Sequence, residues 1–123
     1  MNRHTVVIID HEPELLHLLQ EALEDEGYHV VAVDHPAVVA GAIMGNIPSL
    51  FLIDMMLPDT SGISVAEQLH AGEYGSVPVV GFGASDFLIR RAAGSGWFAD
   101  TLEMPFDLET LLGCIAHHVN LNA

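Results

Sequence analysis

Two apolar runs, Val6-Val7-Ile8-Ile9 and Leu50-Phe51-Leu52-Ile53, each end at an aspartate, Asp10 and Asp54. A strand that is apolar at consecutive positions buries both of its faces, which happens where helices cover a parallel sheet on both sides. Helical patterns separate such runs. From Pro13 to Glu26, residues Leu15, Leu16, Leu18, Leu19, Ala22 and Leu23 recur at helical spacing, with Pro13 suited to a first turn and Gly27 to a C-terminal cap. His29 to Val33 reads as a second strand. Ala37 to Met44 reads as a second helix, weakened by Gly41 and ended near Gly45. It carries no charge, which predicts a buried or sticky surface. Ser64 to Ala71 reads as a helix, Val77 to Phe82 as a strand, Asp86 to Ala93 as a helix and Ala99 to Glu103 as a weak strand. Asp107 is the expected N-cap of a last helix reaching about Val119.

Strand and helix alternate five times, which predicts a mainly parallel sheet with helices on both faces. The expected fold is a flavodoxin-like, doubly wound (βα)5 α/β domain with a five-stranded parallel sheet. Ligands of such sheets bind beyond the carboxyl ends of the strands, near a topological switch point. Asp10 and Asp54 are predicted to meet at that edge.

A chain of 123 residues, half of them hydrophobic, suits one domain spanning 1–123 with its core at about 5–119 and excludes a disordered chain. No apolar run reaches the length of a membrane span, and the first residues lead into a strand with no signal-peptide pattern. Three Lys+Arg stand against 17 Asp+Glu, with no lysine at all. Direct nucleic-acid binding and adhesion to an anionic membrane are therefore not expected, because little could neutralise rows of phosphates. The one cysteine, Cys114, rules out an internal disulfide and fits a reducing cytoplasm. Its place in a helical apolar run predicts a small core residue. The eight histidines form no HExxH-type spacing and are expected mostly at the surface.

The stretches VVIIDHEPELLHLLQEALEDEGYHV, LFLIDMMLPDTSG, VPVV and MPFDLETLL occur in that order. With them the chain resembles the response-regulator receiver family of two-component signalling, from about Thr5 to Val119. The resemblance implies metal-assisted phosphoryl transfer from a histidine kinase to an aspartate, here Asp54. In the family a pair of acids after the first strand helps the acceptor hold Mg²⁺, which neutralises charge on the phosphoryl group. A Thr or Ser after the fourth strand and a Lys after the fifth contact the phosphoryl oxygens and couple phosphorylation to a rearrangement. The fourth helix, fifth strand and fifth helix form the face used for dimers or partners, and Phe87, Leu88, Arg90 and Arg91 fall on or near it.

Asp10 matches the first acid of the pair, but His11 stands where the second is usual. Gly83 stands at the hydroxyl position and Met104, before Pro105, at the lysine position. The aromatic switch position falls on Thr101, in an alignment blurred by an extra residue near Trp97-Phe98. A hard Mg²⁺ prefers oxygen, so His11 should weaken it. Gly83 removes the hydroxyl that would follow the phosphoryl group, and Met104 removes the charge that would pair with it. Arg90 and Arg91 are poorly placed to substitute.

These losses predict a receiver that signals by protein–protein contact with an impaired phosphorylation switch, and no enzyme beyond self-catalysed phosphotransfer to Asp54 and its hydrolysis. The competing reading is a working phospho-acceptor at Asp54. Asp54 as a relic, Asp10 as a loop cap and His11 as a solvated residue are the plainer alternatives. The sharper one is an Asp10–His11–Asp54 site for Zn²⁺, Mn²⁺ or Ni²⁺. Glu12 is expected to face the loop in a supporting role. Flavin binding has no support, because no phosphate-cradling Gly/Ser/Thr run follows the first strand. With no output domain after Val119, the chain is expected either to act alone or to be part of a longer protein.

Overall fold

The computed structural model describes residues 4–121. Five parallel strands, β1 (Thr5–Ile9), β2 (His29–Val33), β3 (Leu50–Asp54), β4 (Val79–Gly83) and β5 (Asp100–Glu103), form one sheet in the order β2-β1-β3-β4-β5. The helices are α1 (Pro13–Asp25), α2 (Val39–Ile43), α3 (Gly62–Ala71), α4 (Asp86–Ser95) and α5 (Leu108–Leu121). This is the flavodoxin-like arrangement expected from the alternating pattern.

The pleat sorts each apolar run onto two faces. Val6 and Ile8 of β1 and Leu50 and Leu52 of β3 join Leu19 and Leu23 of α1 and Leu111, Ile115 and Val119 of α5 in one core. Val7, Ile9, Phe51 and Ile53 face the other way, against Val39 and Ile43 of α2 and Val65 and Ala66 of α3. Burial on both faces is why those strands read as unbroken apolar runs.

Several boundaries move. Asp54 is the last residue of β3 itself. β4 starts at Val79, two residues later than expected, because Pro78 has no N–H to give the ladder; its carbonyl accepts from the Phe51 N–H at 3.0 Å. The second helix is a 3₁₀ turn, Pro36–Val38, followed by only five α-helical residues. Val39 and Ile43 are buried, but Val38 and Met44 are exposed, so this uncharged segment is both core and apolar surface. The expected cap of the last helix is present, with Asp107 Oδ1 accepting from the Thr110 N–H at 2.7 Å.

Two side chains do more than expected. Cys114 is half-buried and packs against the core, and its thiol also donates to Asp100 Oδ2 at 3.6 Å. Burial and the Asp100 carboxylate push that thiol up to about 12. The histidines lie mostly at or near the surface, as expected, with His118 the buried exception. His118 is buried and bonds Asp100 Oδ2 at 3.0 Å, His70 Nε2 meets the Trp97 carbonyl at 2.9 Å, and His4 Nδ1 meets Ser49 Oγ at 2.9 Å. An amphipathic helix carries polar residues along the margin of its buried stripe, where a strand-end partner can hold them.

Candidate functional site

Strands β1 and β3 are neighbours, with Ile9 opposite Ile53, so the residues that follow come out side by side at the carboxyl edge. This is the switch point of the sheet, where connections depart to opposite faces. Asp10 is fully buried and Asp54 is 6% exposed. The loop after β1 returns His11 toward both, with Nδ1 3.6 Å from Asp54 Oδ2 and 3.9 Å from Asp10 Oδ1. The structure thus brings all three sequence candidates together, their ligating atoms within 4.8 Å of one another. His11 faces the acids although 38% of its side chain is exposed, so it is not an outward-turned loop residue.

Local backbone bonds fix the two carboxylates. Asp10 Oδ1 accepts from the Glu12 N–H at 3.2 Å, and Asp54 Oδ1 accepts from the Met56 N–H at 2.9 Å. The second oxygens are left for the pocket. Asp10 Oδ2 is buried with no hydrogen-bond partner among the described residues. Burial first, and the adjoining Asp54 carboxyl second, push the Asp10 carboxyl up to about 7. A buried, orphaned carboxylate oxygen beside another carboxylate is a cation ligand by chemistry, and the residues present fit a divalent ion. The His11 nitrogen in the set tilts the preference away from the hardest cations.

Gly83 and Met104 reach the same edge, the Met104 N–H donating to the Gly83 carbonyl at 2.8 Å. The Met104 side chain packs against the core on the α1–α5 side. Thr101 lies deeper in β5, opposite Gly81, and does not come to the edge. His35 Nε2 and Asp59 Oδ2 pair at 3.3 Å on exposed side chains elsewhere.

One residue was missed by the sequence analysis. Met55, directly after Asp54, is buried in a cradle of glycines. A Cβ on Gly81 would meet Met55 Sδ at 2.7 Å and Phe98 Cε2 at 2.8 Å, and one on Gly62 would meet Met55 Cα at 2.9 Å. A Cβ on Gly83 would lie 3.3 Å from Met55 Cβ. Three glycines converging on β3 and β4 were the available signal, legible only once the strand register is known.

Comparison with known proteins places this geometry. The response regulator receiver domain family model matches residues 6–116. The transcriptional regulatory protein TrcR of Mycobacterium tuberculosis is 31% identical over 109 residues, covering 87% of this chain and 42% of TrcR. A two-component response regulator from Clostridium difficile superposes with a TM-score of 0.84 at 23% identity, covering 98% of this chain and 99% of that one. The response regulator TrrA of Thermotoga maritima, solved in complex with Mg²⁺-BeF, superposes with a TM-score of 0.81 at 19% identity, covering 93% and 97%. The chain spans about half the length or less of the curated relatives it matches, 46%, 50% and 42% in three of them. With a family match running from the first strand into the last helix, the chain belongs to the receiver domains of two-component response regulators.

Proposed function

We propose that this receiver acts through protein–protein contacts with an impaired phosphorylation switch, in the cytoplasm. The observation that carries the reading is the edge formed by Gly83 and Met104. Neither can supply the hydroxyl or the cation that would hold a phosphoryl group, and the chain has no lysine to replace them. Met55 also crowds the space at Gly83.

Asp10 and Asp54, with His11, are the residues that would hold Mg²⁺. A bound Mg²⁺ would supply charge neutralisation at the Asp54 carboxylate. His11 in place of a carboxylate makes that binding weak. The family's partners are histidine kinases and other signalling proteins, and we assign contact with such a partner, or with a second copy, to the face of α4, β5 and α5. On it Phe87 is 64% exposed with the Arg91 guanidinium 5.7 Å from its ring centroid, and Leu108 is 53% exposed. The net charge of −14 supports neither nucleic-acid nor anionic-membrane contact, and no described helix is long and apolar enough to cross a membrane.

A second reading is favoured by the pocket itself. Asp54 keeps Oδ2 toward the cluster and Asp10 Oδ2 is orphaned, as a phospho-accepting site requires. In that case an Asp54 oxygen forms a bond to phosphorus, the P–N bond to the kinase histidine breaks, and water later hydrolyses the acyl phosphate. Incubation with a small phosphodonor and Mg²⁺, read by intact mass, separates the two. The expected result is little or no adduct, with wild type and Asp54→Asn alike. A stoichiometric adduct lost in Asp54→Asn establishes the second reading instead.

A further inference from the structure

A second group of ligating side chains lies away from the acidic edge, at the opening of β5. Cys114 and His118 are one helical turn apart, at i and i+4 on α5, and so share a face of that helix. Asp100, the first residue of β5, meets both through a single oxygen. His118 Nε2 is 3.0 Å from Asp100 Oδ2, and Cys114 Sγ is 3.6 Å from the same atom. One carboxylate oxygen, one thiol sulfur and one imidazole nitrogen thus lie within 4.8 Å of one another. His118 is buried, Cys114 half-buried and Asp100 exposed, so the group runs from the interior to solvent.

We propose that Asp100, Cys114 and His118 form a binding site for Zn²⁺ or a cation of its class, clamping β5 to α5.

The donor set and its spacing carry this. A sulfur, a nitrogen and an oxygen together select a borderline cation over Mg²⁺ or Ca²⁺. Around tetrahedral zinc, the bond lengths to sulfur, nitrogen and oxygen put ligand atoms at edges of about 3.3 Å for N–O and about 3.5 Å for S–O. The two edges to Asp100 Oδ2, 3.0 and 3.6 Å, need shifts of only a few tenths of an ångström, and the third, between Cys114 Sγ and His118 Nε2, lies within 4.8 Å and closes by a rotation of either side chain. Three protein ligands leave a fourth position open on the exposed Asp100 side, for water or a further ligand. Binding displaces the Cys114 thiol proton to solvent, the cation taking its place between sulfur and carboxylate. The clamp joins a four-residue edge strand to the helix that ends the described chain, two elements otherwise held together through Leu102 and the α5 side of the core.

The test uses the whole chain, freed of metal by chelation and titrated with Co²⁺ alone. Cys114 is the only cysteine, so a thiolate-to-cobalt charge-transfer absorption reports this site and no other. The expected result is that absorption, saturating with added Co²⁺ and displaced by Zn²⁺. Cys114→Ser abolishes the absorption. His118→Ala and the exposed-site change Asp100→Asn each weaken affinity by at least the roughly tenfold seen for loss of an outer-shell partner. Asp10→Asn leaves the absorption unchanged, which separates the site from the Asp10–His11–Asp54 pocket. Absence of the absorption in the folded wild type overturns the proposal and leaves a hydrogen-bonded cluster only. So does an absorption with the same affinity in both His118→Ala and Asp100→Asn, which would mean adventitious binding by a lone thiol.

Discussion

Asp10 concentrates the electrostatics of the acidic edge in one buried carboxyl. It holds its proton up to about pH 7 in the fold, against about 3.8 for an unperturbed aspartate. The folded metal-free protein therefore binds a proton that the unfolded chain releases. The stability this group contributes is full below pH 3.8 and is lost as pH rises toward 7. Asp10→Asn, which keeps the shape and removes the titration, is expected to flatten that fall and to raise the melting temperature at pH 8. Urea denaturation of both proteins at several pH values checks it, and parallel pH profiles would contradict it. Asp10 and Asp54 were legible in the sequence because an acid closing an apolar strand run can only emerge at a sheet edge. For His11 the sequence left two readings, a solvated loop residue or a third member of the group, since a loop residue's direction depends on the backbone beyond the strand. Cys114 and His118 looked like core and surface because their spacing shows the helix face but not the Asp100 that β5 brings to it.

Strand pairing decides what the glycines mean. In the sequence Gly83 read as the place of a missing hydroxyl. In the sheet Gly81 and Gly83 both border the buried side chain of Met55 across the β3–β4 pair. Gly83→Thr would have to displace Met55, whose Cβ stands 3.3 Å from the added Cβ. It should destabilise the domain by about 1–3 kcal/mol, the usual cost of overpacking. Met55→Ala alone should cost about 2–5 kcal/mol as a buried truncation. Because Met55→Ala keeps the Cβ and removes only atoms from Cγ outward, the two together should be additive within about 0.5 kcal/mol, measured as a double-mutant cycle in denaturant. A larger coupling would mean that the Met55 side chain beyond Cβ fills the space at Gly83. Strand and helix identities were readable from periodicity throughout. The second helix was overestimated because its apolar composition is the same whether a residue packs, as Ile43 does, or faces outward, as Met44 does.

For the molecule as a whole, charge opposes the compact state. A net charge of −14 on 123 residues repels itself, and only three Lys+Arg are present to offset it. Raising NaCl from roughly 0.01 to 0.15 M shortens the Debye length from about 30 to about 8 Å and should raise the melting temperature. A melting temperature that falls over this range would show that attractive pairs dominate instead. Overall architecture was the most legible level, because two-sided burial of β1 and β3 admits few other folds. Met55 also sets a cost for position 83. A Cβ there would stand 3.3 Å from Met55 Cβ, an atom that every residue but glycine carries, so trimming the thioether does not free the space. A side chain at 83 therefore calls for a small shift between β3 and β4 rather than for a smaller residue at 55.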